Sequence, residues 1–238
     1  PKTAGKFVVS FSDSSNSSRG VAIAGNVSGT SLNYGTAVIF NSSSSTRNSL
    51  AFDPNTAGKF VITFRNGGNS NRGTAIVGTM SGMNLSFGSL VVFDTTGVEL
   101  HGLAFDPNAA GIFVIAYRDY GNSNYGTGIV GTVSGTNVSF ASKHVFNSSQ
   151  TNHFGLSFDP NTVNKFVVAF SDDDLDGKIV IGTRSNTSLS YSSEIAVASG
   201  EAYYFKTAFD PNSSGKFVTA FLDGTGGGSK AFLGQIAS

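Results

Sequence analysis

The chain lacks cysteine altogether and has few charged residues. Without cysteine it can form neither disulfide bonds nor thiolate metal sites. Charged residues make up only 13% of its 238 residues, and 15 Lys and Arg balance 15 Asp and Glu, so the formal net charge is zero. Nucleic-acid-binding proteins usually carry a basic excess that meets the phosphates, so we expect no nucleic-acid partner.

Long apolar runs are missing as well. No stretch approaches the roughly 20 residues of a membrane-spanning helix, and no basic segment followed by an apolar one resembles a signal peptide. We therefore expect no membrane insertion. A chain rich in Ser, Thr, Asn and Gly with little charge is typical of extracellular and virion proteins, which predicts an extracellular or virion-surface location. The 39% of hydrophobic residues suffice for a core without cross-links.

What the chain does contain is a repeat. The string Phe-Asp-Pro-Asn recurs, and the prolines follow one another at intervals of 53, 53, 53 and 51 residues. Pro1 aligns with the middle of a copy, so we expect further sequence before it. A period of this size predicts a ring of small antiparallel sheets or a solenoid. We assign the chain to one repeat domain with units 1–53, 54–106, 107–159, 160–210 and a partial unit 211–238.

Each unit has the pattern of four short strands joined by hairpins. In segment 59–64 apolar residues occupy both faces, as in a strand whose sheet lies between two neighbouring sheets. The Asp-Pro-Asn turn precedes this strand, and its aspartates are predicted turn formers. The fourth residue after each proline is Gly, or once Asn164, which predicts a positive φ there.

An apolar strand that ends in Asp-Pro-Asn and leads through a tight turn into Lys-x-aromatic/aliphatic-Val resembles the inner hairpin of β-propeller repeats. The tandem copies also resemble repeats of extracellular, tail-fibre and adhesin-type proteins of marine bacteria and their phages. The resemblance implies an all-β fold, a β-propeller of about five four-stranded antiparallel blades. The alternative is an open blade array or a β-solenoid.

Two ways of cutting the chain into blades remain open. If the inner strand is the Leu-Ala-Phe segment at 50–52, the first blade lacks its inner strand and the last blade its outer strand. If the inner strand is the Lys-Phe-Val segment, only the last blade is short. Strand edges left unpaired at the ends could pair with another chain.

The connections that precede each inner strand differ most between the copies. Binding residues tend to lie on loops above a rigid scaffold, so these connections are the predicted binding site on one rim of the propeller. One aligned position reads Arg47, Leu100, His153 and Tyr204. Aromatic and planar groups suit sugar faces, which predicts a glycan or cell-surface receptor as the partner. The predicted contacts are Arg47, His101, His153, Phe154, Tyr203 and Tyr204.

One loop carries a metal-binding pattern. Segment 172–177 fits Asp-x-Asp-x-Asp-Gly, the opening of a calcium loop, and resembles the calcium hairpins of integrin-type propeller blades. Asp172, Asp174 and Asp176 would offer oxygen ligands to Ca²⁺. Val180 and Thr183 stand where the ninth and twelfth ligands belong, so a solvated acidic turn is the alternative. We expect no other cofactor.

Groups that could catalyse a reaction are scarce. The chain has three histidines, and no Ser-His-Asp arrangement follows from their spacing. Glu99 and Glu201 lie on the same predicted rim and are a candidate carboxylate pair for glycoside hydrolysis. We nevertheless predict a non-enzymatic, lectin-like adhesion module for surface carbohydrate. The alternative is a structural subunit of a fibre, appendage or virion, assembled as a homo-oligomer or larger array without a small ligand.

Overall fold

The structure is a computed structural model that describes residues 4–236, except for the side chains of residues 100 and 101. It confirms the all-β fold class. The helical content of the described residues is limited to two short 3₁₀ turns, Ser14–Asn16 and Gly67–Asn69. No helix in the part of the chain described has the length and apolar character needed to cross a membrane.

The strands follow one another along the whole described chain. The first ten are β1 Lys6–Asp13, β2 Arg19–Ser28, β3 Ser31–Tyr34, β4 Val38–Phe52, β5 Lys59–Asn66, β6 Arg72–Ser81, β7 Asn84–Phe87, β8 Val91–Phe105, β9 Ile112–Asp119 and β10 Tyr125–Ser134. The others are β11 Asn137–Gln150, β12 Asn152–Phe158, β13 Lys165–Ser171, β14 Gly177–Ser185, β15 Ser188–Tyr191, β16 Ile195–Ala198, β17 Ala202–Phe209, β18 Lys216–Asp223 and β19 Gly228–Gln235.

Strands pair with their neighbours in chain order, as in a series of hairpins. The paths are β1-β2-β4-β5-β6-β8-β9-β10-β11, then β12-β13-β14-β15, then β17-β18-β19. Strands β3, β7 and β16 pair with β2, β6 and β14 beside these paths. The long strand β4 serves two repeats, because its beginning pairs with β2 and its end pairs with β5.

One complete repeat sheet consists of the end of β4, then β5, then β6, with β7 and the beginning of β8 sharing the fourth place. The segment Leu50 to Phe52 therefore comes first in its sheet, paired with β5. If the strands of every repeat sheet are numbered in this way, the first repeat sheet begins at its second strand, β1, and the last repeat sheet ends at its third strand, β19. This result selects the first of the two cuts that the sequence left open.

The strands form two compact units. Unit 1 comprises Pro1–Val98, Ala109–Ile112 and Thr132–Phe140, and unit 2 comprises Glu99–Asn108, Phe113–Gly131 and Ala141–Ser238. In unit 1, Phe60, Ile62 and Phe64 on one face of β5 pack against Ala22 and Phe40 of the first repeat.

Strand β5 is covered on both faces. Besides Phe60, Ile62 and Phe64, the opposite-facing Val61 and Thr63 are also 0% exposed. Burying each large apolar side chain contributes roughly 1.5–3 kcal/mol. As predicted, side chains on both faces of this strand are buried.

Unit 2 repeats this packing with its own residues. Val167 and Ala169 of β13 share a core with Phe205, Phe217 and Phe221 of the last repeat. The rings of Phe205 and Phe221 stack with centroids 5.3 Å apart. In each unit, aromatic side chains of one repeat therefore cover the sheet of the repeat before it.

The Asp-Pro-Asn turns have the expected geometry. The Asp53 Oδ1 atom accepts the Asn55 backbone N–H at 2.8 Å, and Asp106, Asp159 and Asp210 do the same within their turns. The following turn residues have positive φ, from 63° at Asn164 to 73° at Gly111 and Gly215. Both predictions for this hairpin are confirmed.

The same aspartates also join successive repeats, which the sequence did not indicate. The second oxygen of Asp53 accepts the Gly111 N–H at 3.0 Å, and that of Asp159 accepts the Gly215 N–H at 2.8 Å. Where Asn164 replaces the glycine, Arg184 donates to the second oxygen of Asp106 at 2.8 and 3.0 Å instead. A buried carboxylate thus ties one turn to the next.

Candidate functional site

The candidate site is built on a β-bulge that recurs at the start of three repeat sheets. Arg47, His153 and Tyr204 occupy equivalent positions and have φ of 57°, 52° and 57°, in the left-handed region. The strand register shifts at each of these positions. A bulge re-aims a side chain that regular alternation would direct elsewhere. The variable position found in the sequence is therefore a position with a special backbone.

In unit 2 the bulges bring three aromatic rings together. The His153 ring lies with its centroid 5.1 Å from that of Tyr203 and 5.0 Å from that of Tyr204. The two tyrosine rings are 6.2 Å apart. Tyr204 is 68% exposed, so most of its ring faces solvent. The group presents an aromatic surface drawn from two successive repeats.

Polar side chains continue this surface. Arg118 donates from Nη1 to the Asn152 Oδ1 at 2.5 Å and from Nη2 to the Tyr120 hydroxyl at 3.2 Å. The Tyr120 hydroxyl donates to Glu99 Oε2 at 3.0 Å, and Glu99 is buried. We call the whole set the bulge row; it comprises Glu99, Arg118, Tyr120, Asn152, His153, Tyr203 and Tyr204.

The pKa values of two members of the row are shifted in the direction that favours their uncharged forms. Burial, followed by the positive charge of Arg118, lowers the pKa of His153 below its ordinary value of 6.5. Burial, followed by the charge of Glu201 and a hydrogen bond to it, raises the pKa of Tyr203. Near pH 7 the row therefore presents neutral imidazole and phenol groups beside the Arg118 guanidinium.

The six predicted contact residues do not all come together in the structure. His153, Tyr203 and Tyr204 come together in unit 2, whereas Arg47 is exposed at its own bulge in unit 1. Phe154 is buried and packs against Phe146 with ring centroids 6.2 Å apart, so it supports the surface from below. The side chain of His101 lies outside the described residues.

Arg118, Tyr120 and Asn152 were not among the predicted contacts. Asn152 directly precedes the predicted contact His153, whereas Arg118 lies near the end of strand β9 and Tyr120 directly follows that strand. Arg65 occupies the place of Arg118 in the preceding repeat, and this recurrence of arginine at a strand end is the signal that could have found it.

The predicted calcium ligands do not converge. Lys178 Nζ lies 2.5 Å from an oxygen of Asp172, and the Asp176 N–H donates to the other Asp172 oxygen at 2.9 Å. Asp176 accepts the Gly200 N–H at 2.5 Å. Among the described residues no group of three or more His, Asp or Glu could hold a metal ion. The structure shows a hairpin closed by lysine, and calcium binding at Asp172, Asp174 and Asp176 stays a prediction.

The two candidate catalytic carboxylates have different surroundings. Glu99 is buried and bonded to Tyr120, whereas Glu201 is exposed beside Tyr203. The Glu201 carbonyl accepts the Gly224 N–H at 2.7 Å, which fixes the backbone at that point. The buried carboxylate of Glu99 therefore belongs to the bulge row, and the exposed carboxylate of Glu201 lies beside Tyr203 of the row.

No protein-family model and no curated protein matches the chain in sequence. Solved structures do match in fold. An intramolecular trans-sialidase from Ruminococcus gnavus superposes with a TM-score of 0.60 at 13% identity, over 86% of this chain and 46% of that protein. The NanB sialidase from Streptococcus pneumoniae gives a TM-score of 0.61 at 10% identity, over 91% and 36%.

An exo-β-1,3-galactanase from Phanerochaete chrysosporium has a TM-score of 0.56 at 12% identity, over 97% of this chain and 58% of the galactanase. The chain thus spans between about a third and somewhat over half of the length of these proteins. At this identity the similarity shows the fold alone, and the fold is β-propeller-like, as predicted.

The comparison corrects one prediction. The scarcity of reactive groups led us to expect a protein without enzymatic activity, but the fold of the chain is one that it shares with two sialidases and a galactanase. The prediction of a non-enzymatic protein is therefore contradicted. A few reactive residues at one end of a binding surface are enough for glycoside hydrolysis, so counting them across the chain was a poor guide.

Proposed function

We propose that the chain recognises carbohydrate through the bulge row, on one rim of a β-propeller-like array of about five four-stranded blades at an extracellular or virion surface. The observation that carries the proposal is the contact of His153, Tyr203 and Tyr204 at equivalent bulges of adjacent repeats. Carbohydrate binding or processing by proteins of similar fold supports it.

The chemistry of the row suits a sugar. An exposed ring such as that of Tyr204 offers an apolar face to the C–H groups of a pyranose. Arg118 and Asn152 provide donors and acceptors that fix orientation. The depressed pKa of His153 keeps its ring neutral at pH 7, so the ring can both donate and accept hydrogen bonds with hydroxyl groups.

A glycan array of sialylated and galactose-terminated oligosaccharides tests the proposal. We expect the wild-type chain to bind, and Tyr204→Ala to weaken the best hit at least about tenfold, equivalent to ~1.4 kcal/mol. Tyr34→Ala is the matched control, because Tyr34 is 56% exposed but lies in unit 1. Equal losses in both variants, or no binding by the wild type, would refute recognition by the row.

A second candidate function is glycoside hydrolysis. The Tyr120 hydroxyl is 3.0 Å from the buried Glu99 carboxylate, which can accept the phenolic proton, and Tyr120 itself is 41% exposed. Sialidases are known to use a tyrosine nucleophile. In this scheme the Tyr120 oxygen attacks the anomeric carbon while Glu99 takes its proton, and the glycosidic C–O bond breaks as the aglycone oxygen leaves and takes up a proton from solvent. Water then cleaves the bond between Tyr120 and the sugar, and the proton held by Glu99 restores the phenol.

Turnover of 4-methylumbelliferyl sialoside and galactoside tests the second candidate. We expect Tyr120→Phe and Glu99→Gln each to lower kcat at least about a hundredfold. Glu194→Gln, which changes an exposed carboxylate bonded to Lys178, should leave kcat unchanged. No turnover by the wild type, or turnover that persists in Tyr120→Phe, would remove hydrolysis by this pair and leave binding as the function.

A further inference from the structure

Strand β18 of the last repeat sheet is covered on one face only. Phe217 and Phe221 are 3% and 4% exposed, whereas Val218 and Leu222 on the opposite face are 42% and 39% exposed. Leu233 of β19 pairs with Val218 in register and is 78% exposed. This end face therefore presents a contiguous group of large apolar side chains to solvent.

The equivalent face of the preceding repeat sheet is covered, and the residues that cover it show what the end face can contact. Val167 and Ser171 of β13 occupy the positions of Val218 and Leu222, and both are 0% exposed. Val167 is covered because it packs in one cluster with Phe205 and Phe217 of the next repeat sheet. Within this chain, the natural occupant of the end face is therefore another repeat sheet.

The first repeat sheet has the complementary open face. Val9 and Phe11 of β1 are 44% and 40% exposed. Their counterparts in β5, Ile62 and Phe64, are 0% exposed because they pack against the preceding repeat. The first sheet thus offers the surface that elsewhere in the chain receives the preceding sheet.

The turns at the two ends are complementary too. Asp159 joins its turn to the next repeat through the Gly215 N–H. Asp210 has the same turn, with its Oδ1 on the Asn212 N–H at 2.8 Å. Gly5 has φ of 72°, against 73° at Gly215, so its turn has the conformation that the aspartate of a preceding repeat contacts.

We propose that the last repeat sheet, β17-β18-β19, docks onto the first repeat sheet of a second copy of this chain, head to tail. Val218, Leu222 and Leu233 then cover Val9 and Phe11 of the copy, and Asp210 accepts the N–H of its Gly5. The contact is heterologous, so repetition generates closed rings or filaments. The inference does not depend on carbohydrate binding.

Sedimentation equilibrium tests the proposal directly. The weight-average mass of the wild type is expected to rise above 24.6 kDa with concentration. Leu233→Asp, at a side chain 78% exposed, should raise the dissociation constant at least about tenfold without loss of folding. Val163→Asp, 62% exposed outside both end faces, should associate like the wild type. A wild type that stays at 24.6 kDa at every concentration would overturn the proposal.

Disulfide trapping gives a second, independent measurement. The Thr162 and Ser214 hydroxyl oxygens of successive repeats are 2.7 Å apart, and the corresponding positions across the proposed contact are Ser213 and Ala4. The native chain has no cysteine, so each variant carries a single thiol.

We expect Ser213→Cys chains mixed with Ala4→Cys chains to form a mixed disulfide dimer on oxidation. The control mixture combines Val163→Cys with Ala4→Cys. Mixed dimers no more abundant than in the control would contradict the head-to-tail contact, whatever the mass measurement shows.

Discussion

At the scale of single residues, the aspartate of each Asp-Pro-Asn turn carries more of the fold than a turn requires. Asp159 is 0% exposed and accepts the Asn161 N–H at 2.9 Å with one oxygen and the Gly215 N–H at 2.8 Å with the other. A hydrogen bond to a charged group contributes roughly 1.5–3 kcal/mol. One carboxylate therefore stabilises both its own turn and the junction to the next repeat.

Replacing the turn aspartate should lower the free energy of unfolding more inside the array of repeats than at its end. We expect Asp159→Ala to lower the free energy of unfolding by about 2–4 kcal/mol, since it leaves the buried Gly215 N–H unpaired. Asp210→Ala is the matched control, with an expected loss of about 1 kcal/mol from its own turn. Urea unfolding of dilute protein measures both losses, and equal losses would refute the junction role.

The lowered pKa of His153 predicts a dependence of stability on pH. The folded-state pKa lies below 6.5, so between these two values the unfolded chain binds a proton that the folded chain does not. The free energy of unfolding should therefore be highest above pH 6.5 and fall as the pH decreases through this window.

Urea unfolding at pH 7.5 and 5.5 checks this prediction. His153→Asn, which tolerates the left-handed backbone, should reduce the difference between the two pH values. An unchanged difference in His153→Asn would show that another group is responsible.

Residue-level prediction from the sequence succeeded where a local rule applied. Asp53 and Gly58 form the turn that their residue types demand, since Asp caps the turn and Gly accepts a positive φ. The second bond of Asp53, to Gly111, joins residues that are distant in sequence, and no local pattern reports it. The ion pair between Lys178 and Asp172 was missed as well, although it is local.

At the scale of secondary-structure elements, the bulge at the head of the repeat sheet determines the site. It holds Arg47, His153 and Tyr204 at φ between 52° and 57°, although none of them is Gly or Asn. Left-handed backbone at such residues costs of order 1–3 kcal/mol. The recurrence of this cost at the most variable position of the repeat is consistent with the proposed role of the bulge in carbohydrate recognition.

Substitutions at Arg47 test whether the left-handed backbone at this residue is strained. Arg47→Asn should leave the free energy of unfolding within about 0.5 kcal/mol of the wild type, because Asn tolerates positive φ. Arg47→Val should lower it by about 1–2 kcal/mol more, because a β-branched side chain clashes there. Both values come from thermal or urea unfolding, and indistinguishable variants would show that the backbone relaxes.

The strands were predictable from the sequence and the bulges were not. Alternating apolar residues such as Phe60, Ile62 and Phe64 indicate a strand because its two faces alternate. The bulge positions share no residue type, so composition alone does not report their backbone. Comparison between copies identified the position as variable, but only the coordinates show that His153 and Tyr204 meet.

At the scale of the whole molecule, each repeat sheet depends on its neighbours for burial. Val167 inside the array is 0% exposed and Val218 at the end is 42% exposed, although the two are equivalent. The repeat period therefore predicted the all-β class and stacked sheets. It could not decide activity, because a fold does not imply a function.

The most direct test of the account is an NMR titration of the chain with the best oligosaccharide from the glycan array, since the three histidines and seven tyrosines are few enough for their ring signals to be assigned one by one. The account predicts that the signals of His153, Tyr203 and Tyr204 shift in a saturable manner, while those of Tyr34 and His144 stay in place. Binding that moves Tyr34 and leaves His153 and Tyr204 unchanged would contradict it.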